Sequence, residues 1–165
     1  MPYNVLFLCT GNSARSILGE ALLNQLGQGR ATAHSAGSHP KGAVHPGALR
    51  LLESKAIDTR TFRSKSWDEF SGHAAPPIDL VITVCGNADA EICPIWAGAP
   101  LRTHWGLPDP ADVTENEAAI DAAFAETWRR LENRVQAFLA LPFATLDPKT
   151  LKKELDAIGL MQDVR

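Results

Sequence analysis

The sequence predicts an α/β fold in a single domain, with a parallel sheet flanked by helices on both faces. Two patterns and the chain length carry this. Apolar runs of strand length alternate with segments whose apolar residues recur at helical spacing. Val5–Leu8 is apolar at every position and Ile78–Val84 nearly so, as strands covered on both faces are. A chain of 165 residues is long enough for one such core and short for two.

Tyr3 to Leu8 reads as the first strand. Ala14 to Leu26 reads as the first helix, with Ile17, Leu18, Ala21, Leu22 and Gln25 on one face and Gly27 and Gly29 as its stop. Arg30 to Ser35 is a short second strand, and Ala36-Gly37-Ser38 a turn. His45-Pro46 opens a second helix that runs to Lys55, with Ala48, Leu51 and Leu52 inward. Asp58 to Gly72 is polar, with a short helix over Trp67–Phe70, and Pro76-Pro77 ends the stretch. Ile78–Val84 is the third strand and is apolar enough to be central. Gly86–Ile92 fits a short helix closed by Pro94, and Leu101–His104 a fourth strand. Gly106 to Asp112 is a proline-rich loop. Glu115 to Leu141 is a long amphipathic helix with Ala119, Ala122, Ala123, Ala125, Trp128, Leu131 and Val135 as core positions, and Asp147–Ile158 is a last short helix. Residues 1–141 therefore form the body, and residues 142–165 a helical extension.

The first strand leads into Cys9-Thr10-Gly11-Asn12-Ser13-Ala14-Arg15-Ser16. A loop of this length at a helix start can turn successive backbone N–H groups inward as an anion nest, formed by Thr10, Gly11, Asn12, Ser13, Ala14 and Arg15. The Arg15 fork can grip two oxygens of a tetrahedral oxyanion. The same positive surroundings favour thiolate over thiol at Cys9, and the Ser16 hydroxyl can donate to it. The rival readings are an ordinary buried cysteine and a nucleotide-binding loop. The second requires a lysine after its closing glycine, which this stretch lacks.

Composition adds exclusions. The net charge of −3 gives no ground for a nucleic-acid or anionic-membrane partner, so any anion is drawn by local structure. No apolar run reaches the ~20 residues of a membrane span, and no signal-type start is present, so a cytoplasmic protein is expected. Three cysteines are too few and odd for a disulfide framework. Cys85 and Cys93 lack the paired spacings of a zinc site, so no metal is expected, and their company with Cys9 suggests thiol exchange. In a parallel sheet ligands sit beyond the carboxyl ends of the strands, where Cys9, Cys85 and the loop after His104 all fall. Asp109, held between Pro108 and Pro110, is a rigidly presented carboxyl able to protonate a leaving oxygen, with an ordinary turn aspartate as the rival reading.

Cys9-x5-Arg15-Ser16 after a strand resembles the low-molecular-weight protein tyrosine phosphatase superfamily. The fuller Cys9-Thr-Gly-Asn-Ser-x-Arg-Ser string, with His104-Trp-Gly-x-x-Asp109-Pro-Ala, is similar to its arsenate reductase branch. The resemblance covers Tyr3 to Leu141 and implies a four-stranded flavodoxin-like, three-layer domain. It implies that Cys9 attacks arsenate while Asp109 acts as general acid. Cys85 then attacks Cys9 as arsenite leaves, and Cys93 closes a Cys85–Cys93 disulfide. Thioredoxin, or glutathione with glutaredoxin, would supply the electrons, with no bound cofactor. A phosphatase acting on phosphomonoesters through a Cys9 phosphoenzyme, and a non-enzymatic oxyanion-binding module, stay open beside it. Ala111-Asp112 stands where related phosphatases place tyrosines, which weakens phosphotyrosine as a substrate. Some relatives hold a monovalent cation with oxygens matching Asn12, Glu20, Ser35 and an aspartate. Lys65 takes the aspartate's position, where it reads either as a solvated lysine or as an ammonium that replaces the cation. A helix over Gly86–Ile92 would keep Cys85 and Cys93 about 12 Å apart along its axis, too far for a disulfide, so this segment is expected to change shape on oxidation.

Overall fold

The computed structural model describes residues 2–70, 75–85 and 101–161. Cys93 and the predicted helix over Gly86–Ile92 lie outside the described residues. The described elements run in the order β1 (Tyr3–Cys9), α1 (Arg15–Leu26), β2 (Ala31–Gly37), α2 (Pro46–Ser54), a 3-10 turn (Trp67–Phe70), β3 (Leu80–Thr83), β4 (Leu101–His104), a 3-10 turn (Pro110–Asp112), α3 (Glu117–Leu139) and α4 (Pro148–Gly159). The four strands form one parallel sheet in the order β2-β1-β3-β4.

Strand side chains alternate between two clusters, as a period of two requires. Val5, Phe7 and Cys9 of β1, Ala31 and Ala33 of β2, and Leu80 and Ile82 of β3 join the larger cluster with buried residues of all four helices. Leu6, Leu8, Ala36 and Val81 face the other way, against Trp67, Phe70 and Ile78. On that second face, among the described residues, cover comes from the 3-10 turn at Trp67–Phe70 and from Ile78. Cys9 therefore points into the layer that holds α1.

The structure corrects four expectations. β2 does not turn at Ala36 but runs on to Gly37, because Leu8 and Cys9 supply partners in register for Ala36 and Gly37, and Gly37 N also donates to Lys65 O at 3.0 Å. Gly37 is required there, since a Cβ would sit 2.4 Å from Thr10 O. β3 is shorter than Ile78–Val84; it begins after Asp79, whose carboxylate accepts from Asn4 N at 2.8 Å instead of continuing an apolar face. On α3, Ala122 and Ala125 are exposed, while Phe124 and Phe138 are fully buried. Burying a phenylalanine gains about 1.5–3 kcal/mol and an alanine methyl under about 1 kcal/mol, so the aromatics set the rotation of the helix. On α1, Gln25 is exposed and Leu23 is buried in its place.

α4 packs into the main cluster through Leu151, Leu155 and Ile158. It also caps the sheet edge: Thr103 Oγ1 donates to Asp156 Oδ1 at 2.7 Å and Trp105 Nε1 to Leu155 O at 3.1 Å. Among the described residues no helix is long and apolar enough to cross a membrane.

Candidate active site

β1 ends at Cys9 and α1 begins at Arg15, so residues 10–14 close a loop over the positive end of a 12-residue helix. Asn12 takes φ +46°, the left-handed conformation that asparagine tolerates, and so reverses the chain without a glycine. The loop's carbonyls are pinned from outside. His39 N donates to Thr10 O, Lys41 N to Gly11 O and His45 N to Ser13 O, each at 2.9 Å. Ser64 Oγ adds a bond to Gly11 O at 3.0 Å. In a trans peptide the N–H lies opposite the carbonyl. Outward carbonyls at residues 10, 11 and 13 therefore turn the N–H groups of Gly11, Asn12 and Ala14 toward the inside of the loop. Ala14 has no side-chain acceptor to cap the helix, which leaves its first-turn amides to an anion.

Cys9 Sγ lies 2.9 Å from Ser16 Oγ. Asn12 Nδ2 donates to Ser16 Oγ at 2.8 Å and to Ser35 Oγ at 3.0 Å, so the Ser16 hydroxyl proton is left to point at the sulfur. Asn12, Ser16 and Ser35 are fully buried, which makes each of these bonds costly to leave unmade. Asn12 is itself oriented by Lys65 N, which donates to its Oδ1 at 2.8 Å.

Arg15 is only 2% exposed and reaches the opposite rim of the loop. Its Nη1 donates to Leu107 O at 2.9 Å, and its Nη2 lies 3.4 Å from Asp109 Oδ2. Asp109 Oδ1 accepts from Ala111 N at 3.0 Å, so the carboxylate caps the Pro110–Asp112 turn and meets Arg15 together. Trp105 is fully buried and serves packing.

Behind the loop, Ser35 Oγ donates to Glu20 Oε1 at 2.5 Å, and Lys65 Nζ stands 3.8 Å from the same oxygen and 3.4 Å from Ser35 Oγ. Burial raises the Glu20 pKa and lowers that of Lys65, and their mutual attraction opposes both shifts. The ammonium thus sits against two of the expected cation ligands, Glu20 and Ser35. Among the described residues no group of His, Cys, Asp or Glu is arranged to hold a metal ion.

The structure brings together Cys9, Thr10, Gly11, Asn12, Ser13, Ala14, Arg15, Ser16 and Asp109. Cys85 lies just past β3, the strand hydrogen-bonded beside β1, and Val84 N donates to Leu8 O at 2.9 Å. Cys85 is fully buried and disulfide-bonded, whereas Cys9 is free. Arg60 and Arg63 are exposed and pair with Asp58 and Glu69. The 39–45 strap that holds the loop was not foreseen from the sequence. Its bonds to the loop given above run from backbone N–H groups, which leave no side-chain signature.

A model of the family described as low molecular weight phosphotyrosine protein phosphatase matches residues 4–157. An arsenate reductase of Bacillus subtilis is 32% identical over 134 residues, 81% of this chain and 93% of its own length. The crystal structure of an arsenate reductase from Archaeoglobus fulgidus is similar at 28% identity and a TM-score of 0.62, covering 80% of this chain and 98% of that one. A thioredoxin-dependent arsenate reductase of Corynebacterium glutamicum shares 25% identity at a TM-score of 0.52, over 82% of this chain and 62% of that one.

Proposed function

The chain belongs to the low molecular weight phosphotyrosine protein phosphatase family, and we propose that it acts there as an arsenate reductase with a three-cysteine relay. Arsenate is a tetrahedral oxyanion, the kind of ligand that a helix-start amide loop with an arginine fork accepts. The amides of residues 10–15 and the Arg15 fork hold its oxygens. The Cys9 thiolate, with the Ser16 proton directed at it, attacks arsenic. Asp109 protonates the departing oxygen, which leaves as water. Cys85 as thiolate then attacks the Cys9 sulfur. The sulfur–arsenic bond breaks, and its electron pair leaves with arsenic as arsenite, now reduced by two electrons. Cys93 attacks Cys85, frees Cys9 and leaves a Cys85–Cys93 disulfide for thioredoxin, or for glutathione with glutaredoxin, to reduce. No bound cofactor is needed, and the thiols suit the reducing cytoplasm. Residues 142–165 are an extension that carries α4 onto the sheet edge.

The observation that carries this reading over simple phosphoester hydrolysis is the placement of a second cysteine. Cys85 lies buried just past β3, the strand paired beside the one that ends in Cys9, where a thiol that exchanges with Cys9 belongs. Hydrolysis through a Cys9 phosphoenzyme uses the same loop and is expected as a side activity on small phosphomonoesters.

Arsenate-dependent consumption of NADPH, coupled through thioredoxin and its reductase, tests the proposal. Turnover with arsenate supports it. Hydrolysis of aryl phosphates without any arsenate-dependent NADPH loss would make the protein a phosphatase. Phosphate binding with neither activity would make it a binding module.

A further inference from the structure

Two buried arginines hold consecutive carbonyls of the loop that carries Asp109. Arg15 bonds Leu107 O, and Arg134 Nη1 donates to Gly106 O at 3.3 Å. Arg15 also serves the oxyanion. Arg134 reaches the loop out of α3 and is only 2% exposed. We propose that Arg134 is a positioning residue, which fixes the Gly106–Asp109 loop and through it the Asp109 carboxyl beside Arg15. This rests on the reading of Asp109 as general acid.

Stability alone is a poor reason for Arg134. Burying a guanidinium is costly, and an apolar side chain of similar volume often serves a core as well or better. Its place is explained by what it grips. Gly106 has no side chain with which to anchor itself, and its backbone is wedged at the end of β3. A Cβ there would lie 2.6 Å from His104 Nε2 and 2.8 Å from Cys85 O. The Gly106 carbonyl is thus caught between the strand end and α3. Leu107 is buried, and Pro108 and Pro110 then remove most backbone freedom up to Asp109. A shift at Gly106 must therefore reappear at the carboxyl, where misplacement by about 1 Å is enough to lose much of a catalytic contribution. The guanidinium also helps to depress the His104 pKa, after burial, which places its charge beside the same loop.

The test is a double-mutant cycle. Arg134→Met and Arg134→Lys are each made in the native chain and in the Asp109→Asn background. Loss of free thiols from the reduced protein is followed in a single turnover with arsenate. Arg134→Met should slow it by about 10–100-fold in the native chain, within the range a positioned acid contributes. In the Asp109→Asn background the same change should cost no more than about two-fold, because the two act through one group. Arg134→Lys should fall between, having a donor but no planar fork. Phosphate affinity should stay within about two-fold of wild type, since the Cys9 loop is untouched. Equal losses in both backgrounds, or phosphate affinity lost along with rate, would overturn the proposal. A wild-type protein whose thiols survive arsenate would fail the reductase reading by itself. Amide exchange over residues 105–112 needs no turnover and then decides. Faster exchange there in either Arg134 variant, with α1 unchanged, supports the proposal, and unchanged exchange refutes it.

Discussion

Replacing Lys65 by methionine leaves the Glu20 carboxylate without its cation. The pair is 3.8 Å apart, and the two side chains are 9% and 16% exposed. At that distance and an effective dielectric near 20, the attraction is about 4 kcal/mol. Both groups surrendered water to meet, as the raised Glu20 and lowered Lys65 pKa values record. Removing one partner of a fully buried pair costs about 3–5 kcal/mol. The residual exposure screens this pair, and we expect a loss of about 2 kcal/mol. The pH dependence follows from the raised Glu20 pKa. Losing Lys65 raises it further, so the folded variant binds a proton more readily than its unfolded chain. The penalty is therefore full above the folded Glu20 pKa and shrinks as pH falls toward the ordinary glutamate value of about 4.3. Urea unfolding of both proteins across that range measures it. Potassium, against choline at equal ionic strength, should stabilise the variant and leave the wild type unchanged. A loss below about 0.5 kcal/mol at neutral pH is no more than a surface substitution gives and would refute the reasoning. So would a wild-type protein strongly activated by potassium.

Cys9→Ser should abolish both arsenate reduction and aryl phosphate hydrolysis, since each needs the same thiolate; assays of both check it. Cys85→Ser and Cys93→Ser should abolish reductase turnover while sparing aryl phosphate hydrolysis, and normal turnover in both variants would remove the relay. Asp109→Asn should slow the first chemical step by about 100-fold or more for a poor leaving group, with little effect on one that departs without a proton. His45→Ala should cost about 1 kcal/mol in urea melts, because its Nδ1 accepts from Gly47 N and caps α2. Burial holds the folded His34, His45 and His104 pKa values below the ordinary range. The unfolded chain then takes up protons first, so stability should fall as pH drops below about 6.5. The slope should be shallower in His45→Ala.

The candidate nucleophile, the loop and the acid were legible because each lies in a short stretch whose chemistry depends on local spacing. Cys9, Arg15 and Ser16 belong to one turn between strand and helix, and Asp109 sits between two prolines. Periodicity likewise placed the four strands and four helices of the described residues to within a few positions. It failed where long-range partners choose. The end of β2 follows β1 and Lys65, and α3 rotates to bury Phe124 and Phe138, since the gain from an aromatic in a shaped core outweighs an alanine stripe. Arg134, 28 residues beyond Gly106, looked like any helical arginine until the fold pressed it against that carbonyl. The same holds for the strap at residues 39–45, whose N–H groups turn the nest inward. By itself the sequence determined which groups are candidates for the chemistry, because residue type and spacing suffice to nominate them. Only the tertiary structure decided what holds them in place, because those bonds run through backbone atoms and buried side chains brought together by packing.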